Sequence, residues 1–119
     1  MAANPVFPLL TLTIDRQIFD QQTSDDTVTL VCHGKLVAGT APLLQDEVRE
    51  TIPKAQTIVL DLSDVQYMDS SGLGALVSIY VTTKRAGKRL RLINLSARVE
   101  ELLQITKLLS VFEGYGEYL

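Results

Sequence analysis

The sequence has little of what many functional sites need: it contains one cysteine, one histidine and no tryptophan among 119 residues. A single thiol, Cys32, allows no internal disulfide and no multi-cysteine metal site, which fits a reducing compartment. No apolar run approaches the roughly 20 residues that a membrane-spanning helix requires, and the N-terminus lacks the pattern of a signal peptide. We therefore expect no membrane insertion and a cytoplasmic location.

The charge balance is mildly acidic. The chain has 14 acidic and 11 basic residues, which gives a net charge of −3. This balance argues against a nucleic-acid-binding surface. With 46% apolar and 21% charged residues, the chain has the composition of a folded domain. We expect a lead-in at residues 1–9, which carries two prolines, and a single domain at residues 10–119.

The apolar patterns alternate between the periodicities of strands and helices. Strands are predicted at residues 10–17, 27–34, 57–62, 89–95 and 110–115, and helices at 39–53, 71–86 and 97–107. Thr40 is the expected cap of the first helix, and Ser96 that of the third. Because helices alternate with strands after an opening hairpin, the predicted fold class is α/β. The sheet should be mixed and largely parallel, with about four to five strands and about three to four helices.

One segment, "YMDSSG" at residues 67–72, joins a buried strand to a helix. Open α/β sheets place their sites at this edge, and a helix N-terminus tolerates anions. The simplest interpretation is that Asp69 or Ser70 caps the helix. A nucleophile elbow would need glycine two residues before the serine, and here Met68 and Asp69 occupy those places. A catalytic serine would also need a base, and the only histidine is His33.

Other classes of site also lack their patterns. The "GLG" at residues 72–74 has no third glycine for a dinucleotide site, and no Walker-type phosphate loop is present. Asp61, Asp64 and Asp69 are not spaced for calcium. We therefore expect no catalytic residue, no metal site and no cofactor. Modification remains open beside the capping interpretation. Phosphate on Ser70 would add about −1.5 to −2 charges and could switch a binding surface while the fold stays intact.

The stretch "DLSDVQYMDSSGLGAL" at residues 61–76 strongly resembles the signature of the STAS domain, and specifically that of the bacterial anti-sigma factor antagonists. The family pattern is roughly D-L-S-x-V-x-[FY]-[MI]-D-S-S-G-L-G. Further on, "LINLSARVEELLQITKLLSVFEGY" at residues 92–115 is similar to the closing strand–helix–strand of the family. The resemblance covers about residues 10–115 and implies a single STAS-like domain.

Carried over by position, the resemblance implies a switch rather than an enzyme. Ser70, directly after the aspartate of the motif, matches the phosphoacceptor. The unphosphorylated antagonist binds an anti-sigma factor that is also a serine kinase, and so releases a sigma factor. The kinase, with ATP and magnesium, phosphorylates the antagonist, and a serine phosphatase resets it. The partner-binding positions that the resemblance implies are Asp69, Ser71, Gly72, Leu73, Lys35, Val37 and Thr40.

The chain departs from the family pattern at two places. Where relatives often have G-E-L-D after the second strand, this sequence has "GKLV", with Lys35 in place of an acid and Val37 in place of the aspartate. The electrostatics beside Ser70 are therefore expected to differ from those of the family. Lys107 stands where relatives usually have glycine, so the preceding helix is expected to end differently.

Two further functions remain open from the sequence. One is an adaptor subunit in a stress-signalling or membrane lipid-transport complex, which a pull-down returning a transporter ATPase or a scaffold would favour. The other is a small-ligand or nucleotide-binding sensor, which titration calorimetry with GTP and ATP would test. The antagonist function is the one that the central motif favours.

Overall fold

In the described part of the chain, residues 12–19 and 26–114, the computed structural model has four strands and four α-helices. The predicted lead-in at residues 1–9 lies outside the described residues. The strands are β1 (Leu12–Phe19), β2 (Thr27–Leu36), β3 (Thr57–Met68) and β4 (Arg89–Ile93). The helices are α1 (Ala41–Thr51), α2 (Ser70–Arg85), α3 (Ala97–Ile105) and α4 (Leu109–Gly114), and a 3-10 turn at Ile52–Lys54 follows α1.

The strands form one sheet in the order β1-β2-β3-β4. β1 runs antiparallel to β2, whereas β2, β3 and β4 are parallel to one another. The prediction of a mixed, largely parallel sheet in an α/β domain is therefore confirmed. Alternate strand residues join residues of the helices in a single apolar core. Its largest fully buried side chains are Leu30, Leu36, Leu44, Ile58, Leu60, Leu62, Met68, Leu76, Leu90, Leu92, Leu103 and Phe112.

Cys32, in the middle of β2, lies inside this core. Its exposed fraction is 1%. Burial, helped by the negative charge of Asp61, raises the pKa of the thiol to about 12. A thiol that stays protonated and inaccessible is a poor nucleophile. Cys32 is therefore a packing residue of the sheet, and its chemistry is not used at the surface.

The predicted strand at residues 110–115 is wrong, because Leu109–Gly114 form a helix. Aromatic and β-branched residues favour strands by propensity. Here packing outweighs the strand propensity. Phe112 is fully buried and contacts Tyr80 of α2 edge-on, with ring centroids 5.4 Å apart and an interplanar angle of 77°. The helical turn places this ring over the core, while Tyr115 lies outside the described residues.

The helix before it ends earlier than predicted. α3 stops at Ile105, and the hydroxyl of Thr106 donates to the carbonyl of Leu102 at 2.7 Å. Lys107 then has a φ of 63°, which is the left-handed region that glycine enters most readily. The lysine thus adopts the conformation that a glycine at this position would favour, and the chain turns here into α4.

β2 and β3 are longer than predicted, and their length determines where the segment that follows β3 lies. β3 continues well past its predicted end to Met68, and β2 passes Gly34 to end at Leu36. The pairing of the two strands shifts register twice, the second time after Gly34, whose φ is 117°. As a result the strand ends pair as Lys35 with Tyr67 and Leu36 with Met68. Both parallel strands therefore end side by side.

The start of α2 packs closely on the end of β2. The backbone N–H of Asp69 donates to the carbonyl of Leu36 at 3.4 Å. At Gly72, an added Cβ would overlap the same carbonyl oxygen and would lie 2.9 Å from Cγ of Met68. A side chain at this position would push the helix away from the strand. Gly72 therefore sets how near residues 69–72, which we call the serine loop, lie to β2.

We expect Gly72→Ala to lower the free energy of unfolding by about 1–3 kcal/mol, because the new methyl group meets backbone rather than a flexible side chain. The matched control is Gly74→Ala in the same helix, where an added Cβ has no atom within 4 Å. That change should raise stability by about 0.5–1 kcal/mol, because alanine has the higher helix propensity. Urea unfolding measures both variants. Equal stability of the two would contradict the close contact.

Candidate functional site

The serine loop follows directly from the carboxyl end of β3. Asp69 is the single residue between Met68, the last of β3, and Ser70, the first of α2. Beside it, β2 ends at Leu36 and leads through a short turn into α1. The ends of two parallel strands and the start of a helix therefore meet at one edge of the sheet. This is the edge at which open α/β sheets place their sites.

Asp69 caps α2. Its Oδ1 accepts hydrogen bonds from the backbone N–H of Ser71 at 2.9 Å and from that of Gly72 at 3.1 Å. Of the two capping residues that the sequence left open, the structure selects Asp69. Ser70 is exposed, and no described residue forms a hydrogen bond with its hydroxyl. Among the residues that the structure describes, that hydroxyl is accessible and has no partner.

Thr40 closes the turn between β2 and α1. Its Oγ1 accepts from the backbone N–H of Val37 at 3.0 Å and donates to the carbonyl of Lys35 at 2.7 Å. It forms no side-chain hydrogen bond with the first turn of α1, all of which the structure describes. The predicted side-chain cap is therefore wrong, because the hydroxyl is engaged within the turn instead. These bonds fix the backbone of Lys35 and Val37 beside the serine loop.

The predicted site residues differ in burial. Thr40 and Gly72 are buried, and both hold the backbone of this edge in position. The other six positions reach solvent to different degrees. Ser70 and Ser71 are exposed, whereas Asp69, Leu73, Lys35 and Val37 are half-buried. All eight belong to the serine loop, to the start of α2 or to the end of β2 and its turn.

Two residues that the sequence did not single out lie at the same edge. Tyr67, the second-last residue of β3, is 44% exposed. Nζ of Lys35 lies 5.7 Å from its ring centroid and Cζ of Arg98 lies 5.5 Å from it, which are cation–π distances. We call Lys35, Tyr67 and Arg98 the cation–tyrosine cluster. Tyr67 matches the family motif, whereas no local pattern marks Arg98.

α3 brings Arg98 to the cluster. Ser96 caps this helix, as predicted, by accepting from the backbone N–H of Val99 at 3.3 Å. The hydroxyl of Ser96 also donates to the carbonyl of Val65 at 2.7 Å, which ties the first turn of α3 to β3. From there, Nη2 of Arg98 donates to the carbonyl of Met68 at 3.5 Å. The guanidinium therefore lies against the strand end that leads into the serine loop.

The chemistry that this edge offers is that of an accessible hydroxyl at the positive end of a helix. Within residues 12–19 and 26–114, no group of three or more His, Cys, Asp or Glu side chains is placed to hold a metal ion. No helix in the same ranges combines the length and the apolar character that crossing a membrane requires. An anion attached to Ser70 would lie where the helix dipole favours negative charge.

The chain belongs to the STAS domain family, whose domain matches residues 19–117. Two relatives are anti-sigma-B factor antagonists. That of Bacillus subtilis is 30% identical over 94 residues, which are 79% of this chain and 86% of the relative. That of Listeria monocytogenes is 34% identical over 104 residues, which are 86% of this chain and 89% of the relative. The family expected from the sequence is therefore confirmed.

The fold is similar to that of the anti-sigma factor antagonist SpoIIAA. The unphosphorylated form superposes with a TM-score of 0.63 at 20% identity, over 88% of this chain and 86% of that chain. The phosphorylated form from Bacillus superposes with a TM-score of 0.60 at 20% identity, over 88% of this chain and 89% of that chain. The architecture of a single STAS-like α/β domain is therefore confirmed as well.

His33, on β2, is held between two carboxylates. Nδ1 lies 2.8 Å from Oδ2 of Asp64, and Nε2 lies 3.1 Å from Oδ2 of Asp15. The bond to Asp64 is the main reason that the pKa of His33 is raised above 6.5, with the charge of Asp15 adding to it against partial desolvation. The same bond is the main reason that the pKa of Asp64 is lowered. Because both ring nitrogens are engaged, His33 is a poor candidate for the base of a serine nucleophile.

We expect Asp64→Asn to bring the pKa of His33 back toward 6.5, and Asp15→Asn to do so less, because the bond to Asp64 is the larger cause. NMR titration of the imidazole ring measures both variants, and equal shifts would contradict the assignment.

The effect of pH on stability follows from these directions. The pKa of His33 is higher in the folded state than in the unfolded state, so its stabilising contribution is complete below about pH 6.5 and is lost as pH rises through the folded pKa. The contribution of Asp64, whose pKa is lowered, is lost as pH falls through its folded pKa. Wild-type protein should therefore exceed His33→Asn in stability most clearly between the folded pKa of Asp64 and about pH 6.5. A difference in stability between wild type and His33→Asn that does not change with pH would contradict the pairing of His33 with Asp64.

Proposed function

We propose that the protein is an anti-sigma factor antagonist that is switched by phosphorylation of Ser70. The main support for the proposal is the structure of the serine loop. Asp69 caps α2, whereas Ser70 is exposed and its hydroxyl forms no hydrogen bond with a described residue. In the unphosphorylated state this edge binds an anti-sigma factor, which then releases its sigma factor. The anti-sigma factor is a serine kinase that phosphorylates Ser70, and a serine phosphatase removes the phosphate.

The comparisons support this proposal. Relatives that are 30% and 34% identical are anti-sigma-B factor antagonists. SpoIIAA, an antagonist of the same fold, exists in an unphosphorylated and a phosphorylated form. In this role the chain is a substrate of a kinase and of a phosphatase rather than an enzyme, and it acts in the cytoplasm with them.

A phosphate on Ser70 changes the surface and leaves the fold intact. It adds about −1.5 to −2 charges and three acceptor oxygens. At the first residue of α2, a negative group is neutral to stabilising by about 0.3–1 kcal/mol, because it lies at the positive end of the helix dipole. A docked partner, however, meets a new dianion beside Asp69 and must remove its hydration shell. Phosphorylation therefore weakens docking without unfolding the domain.

We expect Ser70→Asp to weaken binding of the anti-sigma factor by about 30-fold to several-thousand-fold, because an unpaired interfacial carboxylate costs about 2–5 kcal/mol. Ser70→Ala should bind nearly as tightly as the wild type, because the hydroxyl accepts phosphate and does not form the contact. Calorimetry measures both affinities against each purified serine-kinase anti-sigma factor of the source organism.

The neighbouring hydroxyl supplies the control. With kinase and ATP, Ser71→Ala should still incorporate phosphate and Ser70→Ala should not, with the modified residue mapped by mass spectrometry. Thermal melting of Ser70→Asp should match or exceed that of the wild type. Phosphate confined to Ser71, or tight binding by Ser70→Asp, would show that this loop is not the switch.

A further inference from the structure

The cation–tyrosine cluster is held in place before any partner binds. Lys35 and Tyr67 are register partners in β2 and β3, and the carbonyl of Lys35 accepts from the hydroxyl of Thr40. Arg98 is anchored from α3 by its bond to the carbonyl of Met68. These contacts fix the backbone of Lys35 and place the guanidinium of Arg98 against the end of β3. A surface that is already ordered loses little conformational entropy on binding.

The positive charge of the cluster is only partly balanced within the described part of the chain. No described carboxylate pairs with Lys35. Arg98 pairs through Nη1 with Glu101 at 3.1 Å, but this is an exposed pair, which contributes little. Nε of Arg98 is buried without a hydrogen-bond partner among the described residues. Asp69, the acid of the adjoining loop, already accepts two backbone N–H groups at its Oδ1.

We infer that the cation–tyrosine cluster recognises an acidic segment of the anti-sigma factor, an inference that rests on the proposed function. A carboxylate of the partner would accept hydrogen bonds from Arg98 and lie close to Lys35, while the exposed ring of Tyr67 offers apolar contact between them. Tyrosine and arginine are the residue types in which binding energy is often concentrated.

The cluster also adjoins the phosphoacceptor. Tyr67 precedes Ser70 by three positions, and the carbonyl that Arg98 contacts belongs to Met68, two positions before Ser70. A phosphate on Ser70 would compete with the carboxylates of the partner for the same cations. Phosphorylation then removes an attraction in addition to creating a repulsion.

Charge reversal tests the inference. Lys35→Glu and Arg98→Glu should each weaken affinity for the anti-sigma factor that binds the wild type by about tenfold or more. The association rate of the wild type should fall as salt is added, and that of the double variant should depend much less on salt. The matched control, Lys54→Glu, makes the same change in net charge on the exposed 3-10 turn that precedes the opposite end of β3. It should bind as the wild type does.

Milder variants separate charge from packing. Arg98→Lys keeps the charge and should retain most of the affinity, and Lys35→Gln should give an intermediate loss if Lys35→Glu melts early. If Lys35→Glu binds as tightly as Lys54→Glu, or more tightly than the wild type, the partner surface is not acidic and the inference is wrong. If the wild type binds none of the purified anti-sigma factors, the proposed function fails first and the inference falls with it.

Discussion

The contact between the start of α2 and the carbonyl of Leu36 is the constraint on which the site depends. That single oxygen accepts from the backbone N–H of Asp69 and leaves no room for a side chain on Gly72. The helix therefore begins against the last residue of β2, at the edge where the parallel strands end. This approach is possible because the shifted pairing of β2 and β3 continues as far as Leu36 and Met68. A shorter pair of strands would leave the serine loop without support.

The four residues D-S-S-G, at positions 69–72, have different roles in this contact. Asp69 supplies the cap, the backbone of Ser71 and of Gly72 supplies the two donors that the cap requires, and Gly72 also permits the close approach. Asp69, Ser71 and Gly72 therefore each have a structural role in the start of α2. The hydroxyls of Ser70 and Ser71 form no hydrogen bond with a described residue, and Ser70, the first residue of α2, is the proposed site of modification.

Local patterns were sufficient to predict the order of the elements as far as α3, because periodicity and caps are encoded within a few residues. Local patterns gave wrong predictions where contacts between segments distant in the sequence determine the local structure. Leu109–Gly114 is helical because Phe112 packs on Tyr80, and Thr40 turns inward because the carbonyl of Lys35 is within reach. Arg98 reaches the site from 30 residues beyond Met68. Propensities carry no information about such contacts.

The charges at this edge bear on how the proposed phosphorylation of Ser70 would act. Lys35 and Arg98 flank Tyr67 at similar distances of 5.7 and 5.5 Å, so the cluster carries two positive charges before Glu101 is counted. A phosphate on Ser70, with about −1.5 to −2 charges, would offset more of this positive charge than a carboxylate would. The helix dipole of α2 compensates about half a charge at the same place, so the fold tolerates the dianion. Aspartate at position 70 is for these reasons an incomplete substitute for phosphoserine, and the modified protein should lose its partner more completely than Ser70→Asp does.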